Sequence, residues 1–215
     1  MPTSTNSPID QPSIRVSHKE RAAVRRDTKT ELVRCGVELC TEKGFQVSGI
    51  NDLLQRVGAP KGSFYHHFAS KHEFGEAVID AYAEYFARKL NRHLDDCTRK
   101  PLTRLADFVD EAQRGMAKFD YKRGCLVGNL GQELSGLDED FRTRLESVLC
   151  SWERKTAECL REAVESGDLS TAHDPVLLAN FFWTGWEGAI LRAKLTKSAA
   201  PMQLFADIFF GKVLR

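Results

Sequence analysis

The stretch Lys61-Gly62-Ser63-Phe64-Tyr65-His66-His67-Phe68-Ala69-Ser70-Lys71 decides how this chain is read. Pro60 stands at its entrance, where a helix has no use for the missing N–H. Phe64 and Phe68 lie four residues apart and face a small core, while Ser63, Tyr65, His66 and His67 carry hydroxyl and imidazole groups that can reach base edges or phosphates. Lys61 and Lys71 flank the segment. Upstream, Gly58-Ala59-Pro60 forms a turn, and a second short helix is expected over 49–57, capped by Ser48 and with Asp52 suited to the positive end of its dipole. A longer helix over 27–43 has Leu32, Val33, Val37 and Cys40 on one face and stops at Gly44. Two short helices braced by a longer one make a helix-turn-helix whose second short helix fits a major groove. Taken alone, Tyr65 and the two histidines are more readily read as the cover of a helical bundle.

Downstream the pattern stays helical, and no run rich in Val, Ile and Thr is bracketed by hairpin turns. Ser70 to Glu73 has the spacing of a capping box, opening a long helix with Phe74, Val78, Tyr82, Tyr85 and Phe86 down one side. Pro101 opens another, with Leu102, Leu105, Phe108, Val109, Ala112 and Met116; a break follows over 120–124. A long helix is expected over 138–166, ended by Gly167; Asp174-Pro175 starts the next, and a last one covers 201–214. The fold class is therefore all-α: residues 1–26 as a disordered leader and a basic arm (Lys19, Arg21, Arg25, Arg26), 27–72 as the DNA-binding helix-turn-helix domain, and 73–215 as a helical bundle for ligand sensing and dimerisation.

Charge supports that division. The 215 residues carry a net charge of only +1, yet residues 15–72 hold eleven Lys/Arg against six Asp/Glu, and residues 73–215 twenty against twenty-three. Phosphate binding depends on local rather than total charge, so the front of the molecule is the part suited to a polyanion. The six cysteines are scattered, without the Cys-x-x-Cys or Cys/His spacing of a structural zinc site, so no metal and no cofactor are expected. The first residues lack the apolar core of a secretory signal, and no stretch reaches the roughly 20 apolar residues of a membrane span; a cytoplasmic, membrane-free protein is expected. An enzyme is not expected either: Gly128-Asn129-Leu130-Gly131 lacks the lysine of a phosphate-binding loop, and Ser63 lacks the setting of a nucleophile elbow.

From Gly44-Phe45 to Lys71, and above all over Lys61–Phe68 with Ser70-Lys71, the sequence resembles the signature of TetR-family repressors. The resemblance implies DNA contacts from Lys61, Ser63, Tyr65, His66, His67 and Lys71. It also implies a homodimer that sets two such helices in successive major grooves of a palindromic double-stranded operator, and a small-molecule effector that releases it.

Two stretches of the rear domain stand out. In Lys122 to Glu133 two glycines interrupt an apolar helical pattern, allowing either close helix packing or room for a ligand. Cys125 follows Lys122 and Arg123 at an expected helix start, a setting that favours a reactive thiolate; the alternative is an inert buried thiol. The second stretch, Phe181 to Lys194, sets Glu187, Arg192 and Lys194 among aromatics, where they either pair with each other, hold a dimer or meet a polar ligand. Both stretches resemble the branch of the family whose repressors govern acrylate use and N-ethylmaleimide reduction. That resemblance implies an electrophilic or unsaturated carbonyl or carboxylate effector, sensed at Cys125 with Lys194 nearby; Asn129, Trp183, Trp186, Glu187 and Arg192 are further pocket candidates.

Overall fold

A computed structural model describes the backbone from His18 and the side chains from Thr28 onward. The expected leader and the side chains of the basic arm lie outside the described residues. The described chain folds as helices α1 (His18–Lys43), α2 (Ile50–Val57), α3 (Gly62–His67), α4 (Lys71–Leu94), α5 (Pro101–Lys118), α6 (Leu126–Leu134), α7 (Glu139–Glu165), α8 (Pro175–Thr196) and α9 (Ala200–Ile208), which runs on as a π-helical turn over Phe209–Val213. Among the described residues there is no strand.

Local signals act mostly where the sequence puts them. Gly44 stops α1 with a left-handed φ of 89°, and Gly58 closes α2 with a φ of 68°, conformations that cost glycine little. Ser70 caps α4 by accepting the Glu73 amide at 3.0 Å, and the Glu73 carboxylate reaches back to the amide of Ala69 at 2.7 Å. Asp138 and Asp174 cap α7 and α8 in the same way. The expected cap of α2 is corrected: Gly49 occupies the N-cap without a side-chain bond, and the Ser48 hydroxyl instead donates to the Gly44 carbonyl at 2.5 Å. Ser48 thus tightens the turn leaving α1 rather than the helix that follows.

The helix-turn-helix unit is α1, α2, α3 and the start of α4, packed around Leu32, Leu39, Leu53, Phe64, Phe68 and Phe74. Phe74 meets Phe64 and Phe68 edge-on at ring distances of 5.3 and 5.1 Å. Gly36 brings α1 onto α4, since a Cβ there would lie 2.5 Å from Phe74 and 2.7 Å from Val78. Helix α4 runs back into the rear bundle, where it packs on α5 and α7, and α8 lies between α7 and α9. Phe86, Trp152 and Trp183 fill the middle of that bundle. Arg104, only 4% exposed, stitches α4 to α5 by donating to the carbonyls of Leu94 and Arg99 and to Glu162. Buried charge of this kind is tolerated because each of the three guanidinium nitrogens has an acceptor.

Candidate DNA interface and effector cavity

On α3, Phe64 and Phe68 are buried, as the four-residue spacing requires. The opposite side presents Tyr65, 63% exposed, with an exposed His66 and the half-buried Ser63 and His67. Lys61 is exposed at the helix entrance. Lys71, for which the family resemblance implies a DNA contact, is already engaged: its Nζ donates to the Gln46 carbonyl at 3.1 Å and lies 4.8 Å from the centre of the Phe45 ring. A phosphate at this corner meets a lysine already anchored across the turn between α1 and α2.

Behind this unit lies a cavity of about 700 Å³. One wall is α1, which has two working faces: Leu32, Cys35 and Leu39 point into the buried core, while Lys29, Val33, Val37 and Thr41, spaced four apart, line the cavity. The remaining wall comes from α4, α5, the start of α6, α8 and α9, and is largely apolar, with Tyr82, Phe86, Met116 and Trp186 among its residues. A wide apolar chamber with a few polar groups is the setting of small-ligand binding.

Cys125 lines this cavity at the N-cap of α6 and is itself buried. The thiolate-favouring setting expected for it is corrected. Arg123 turns away to Glu42 and Glu38 on α1, and Lys122 pairs with Asp120. What faces the sulfur is Tyr82, whose hydroxyl donates to Sγ at 3.8 Å, and Glu187, whose carboxylate Oε2 lies against Gly128 in the first turn of α6. Burial pushes the Cys125 thiol well above its ordinary range, and the nearby Glu187 carboxylate pushes the same way. Glu187 is in turn pushed up to about 7 by burial, only partly offset by the neighbouring thiol. The residue as a whole is half-buried, but Oε1 is enclosed and has no hydrogen-bond partner.

The other candidates separate. Trp186 is a cavity wall. Trp183 is not: it sits in the bundle core, its indole N–H donating to Thr156 at 2.9 Å. Arg192 lies exposed on the outer side of α8. Lys194 passes close to Gly124 and donates to the Thr41 carbonyl at 3.2 Å, and Asn129 donates to the carbonyls of Cys40 and Thr41 at 3.1 and 3.0 Å. Glu187, Arg192 and Lys194 therefore do not pair with one another. Asn129 and Lys194 tie the start of α6 and the end of α8 to the last turn of α1. Sequence reasoning missed the contribution of α1 itself and of Glu133, whose carboxylate accepts the amides of Phe45 and Gln46 at 2.7 and 2.6 Å. The four-residue spacing of Lys29, Val33, Val37 and Thr41 is the signal that could have revealed the α1 wall.

Comparison with known proteins gives this geometry a family. The model described as "Bacterial regulatory proteins, tetR family" matches residues 32–78, and that described as "Tetracyclin repressor-like, C-terminal domain" matches residues 101–209. The chain belongs to the TetR family. Its two matched regions coincide with the α3-bearing unit and with most of the rear bundle. Among relatives of this TetR-family member, the transcriptional regulator AcuR of Cereibacter sphaeroides is 50% identical over 178 residues, 83% of this chain and 81% of the relative. A crystal structure of a regulatory protein TetR from Rhodobacter sphaeroides superposes with a TM-score of 0.82 at 49% identity, covering 85% of this chain and 96% of that one. The reduced form of Escherichia coli NemR superposes with a TM-score of 0.78 at 27% identity, covering 85% and 95%. Like other members of the TetR family, the chain is a transcriptional regulator rather than an enzyme. Among the described residues, no helix is long and apolar enough to cross a membrane.

Proposed function

We propose that this protein is a homodimeric, cytoplasmic transcriptional repressor that holds a palindromic operator until a small unsaturated carbonyl or carboxylate compound enters the cavity and engages Cys125. The observation that carries the reading is the double role of α1. The helix that braces α3 from behind is also a wall of the chamber, so a ligand cannot fill the chamber without bearing on the DNA-reading unit. Operator binding is then lost by a population shift toward dimers whose α3 helices no longer match successive major grooves.

Tyr65, His66, His67, Ser63 and Lys61 are the base- and phosphate-facing groups, and Lys71 a phosphate contact. Dimerisation uses α7 and α8. Leu177, Phe181 and Leu195 leave an apolar stripe along the outside of α8, and Gly188 within it has open space beyond its Cα, which suits a close crossing by the same helix of a second subunit.

A second reading is favoured by one observation. The raised thiol of Cys125 and the size of the chamber suit a reversible, non-covalent ligand larger than a three-carbon acid. Mobility-shift assays on duplexes from the gene's own upstream region test both. Release by an activated alkene that persists after dialysis in the wild type and is lost in Cys125→Ser supports the covalent reading. Release that dialysis reverses, unchanged in Cys125→Ser, supports the reversible one. Retained binding across a panel of electrophiles and apolar acids contradicts effector control altogether.

A further inference from the structure

Cys125 sits between the cavity and a closed polar nook. On the nook side, the Tyr82 hydroxyl donates to the sulfur from α4, and the Glu187 carboxylate comes in from α8 close enough to act on the thiol electrostatically. Gly128 makes this possible: a Cβ at that position would overlap Glu187 Oε2, so only glycine lets the carboxylate lie against the first turn of α6. The second carboxylate oxygen, Oε1, is shut away from solvent with no partner.

Among the described residues no cation compensates it. Lys194, two turns along α8, is held on the Thr41 carbonyl with Glu42 of α1 nearby, Arg192 points outward, and Arg123 is paired with Glu38 and Glu42. Tyr82 of α4 and Cys125 of α6 are the ionisable groups that face it, and neither α7 nor α9 brings a charge that shifts it. A carboxylate with one oxygen toward a thiol and the other shut away and unsatisfied is a ready proton acceptor.

We propose that Glu187 takes the proton of the Cys125 thiol when that sulfur adds to an activated alkene in the cavity; the inference rests on Cys125 being the sensing thiol. As the C–S bond forms, the S–H pair stays on sulfur and the proton moves to Glu187 Oε2. The sulfur pair enters the β-carbon, and the π electrons move onto the carbonyl oxygen as an enolate. The enolate carbon then takes the proton back from the Glu187 acid. One S–H and one C=C π bond are exchanged for one C–S and one C–H bond, nothing is oxidised or reduced, and the carboxylate is restored. Because burial brings Glu187 to about 7, it changes from acid to acceptor over the neutral range, where a general base is most effective.

The test follows alkylation of the full-length protein by N-ethylmaleimide, with the Cys125 adduct quantified by peptide mass spectrometry from about pH 5.5 to 8.5, which separates it from the exposed Cys97 and Cys150. In the wild type the rate climbs through about pH 7 and then levels. Glu187→Gln lowers it at least about tenfold at the upper end and leaves a rate that keeps rising with hydroxide, while Glu187→Asp recovers part of the loss. Gly128→Ala, which keeps the charge but displaces the carboxylate, slows alkylation as well and stands in should Glu187→Gln fail to fold. Wild-type rate and pH profile in folded Glu187→Gln or Gly128→Ala overturn the proposal and leave the sensing thiol intact. Absence of any Cys125 adduct in the wild type overturns the sensing thiol itself.

Discussion

The carboxylate of Glu133, on α6, accepts the backbone amide of Phe45 at 2.7 Å, across 88 residues of sequence. With the adjoining bond from Gln46, it fastens the effector half of the molecule to the turn between α1 and α2. Gly44 makes room for it, since a Cβ there would lie 2.6 Å from the Glu133 carboxylate. Two charge-assisted bonds of this kind are worth about 2 kcal/mol together when partly exposed. Glu133→Ala is expected to lower unfolding stability by about that amount, and also to weaken the effect of ligand on operator affinity, because movement at α6 no longer pulls on the turn. Denaturant titration and operator binding with and without ligand read the two effects; full ligand response in a destabilised Glu133→Ala contradicts the coupling.

Close packing between the halves rests on a second glycine. A Cβ on Gly75 of α4 would lie 2.6 Å from Phe141 and 2.7 Å from Phe45, both rings held in the junction where His72 stacks on Phe141 at 4.4 Å. Gly75→Ala is expected to cost about 1–3 kcal/mol of stability despite alanine's better helix propensity, as overpacking of a filled core does. A melting temperature equal to or above that of the wild type refutes the tight junction.

How much of this was open to sequence reading follows from range. The α3 unit was legible because its determinants are short-range: Gly44, Gly58, Pro60, Ser70 and the Phe64–Phe68 spacing each act within a few residues. The cavity was legible only in part. Cys125 and Trp186 reach it, but α8 is apolar around most of its circumference, so its pattern does not say which side faces the chamber, and Trp183 and Arg192 fell on the wrong sides. Charge near Cys125 was misread for a similar reason: Arg123 finds Glu38 and Glu42 more than 80 positions away. Arg104 and Glu133 are likewise defined by distant acceptors and donors that no local spacing announces.

The enclosed carboxylate gives stability a defined pH dependence. Glu187 titrates near its ordinary value when unfolded and at about 7 when folded, so the folded state holds the extra proton between roughly pH 4.5 and 7. Stability from this group is intact below that window and falls as pH rises through it, by an amount on the order of 3 kcal/mol for a shift of this size. Glu187→Gln removes the penalty: its melting temperature, near that of the wild type at pH 4.5, is expected to exceed it increasingly up to about pH 7.5. A constant difference across that range contradicts the buried, uncompensated carboxylate.

At the DNA face, the lysine and the tyrosine are expected to act differently. Lys71 is already braced by Gln46 and Phe45, so Lys71→Ala should weaken all duplexes alike and reduce the salt slope of binding by about one per subunit. Tyr65→Phe, which keeps the ring on Phe64 at 5.3 Å but removes the hydroxyl, should cost about tenfold in affinity for the operator with little change for unrelated duplex. Equal losses on both duplexes would assign Tyr65 to the phosphates instead.

The decisive measurement is fluorescence anisotropy of a labelled duplex from the upstream region, titrated with protein with and without a compound that raises the protein's melting temperature by filling the α1-walled cavity. The account predicts two subunits per duplex, salt-sensitive binding lost in Tyr65→Ala, and an operator affinity reduced at least about tenfold when the cavity is occupied. A compound that stabilises the protein while leaving operator affinity unchanged, or a preference for the duplex that survives Tyr65→Ala, contradicts it.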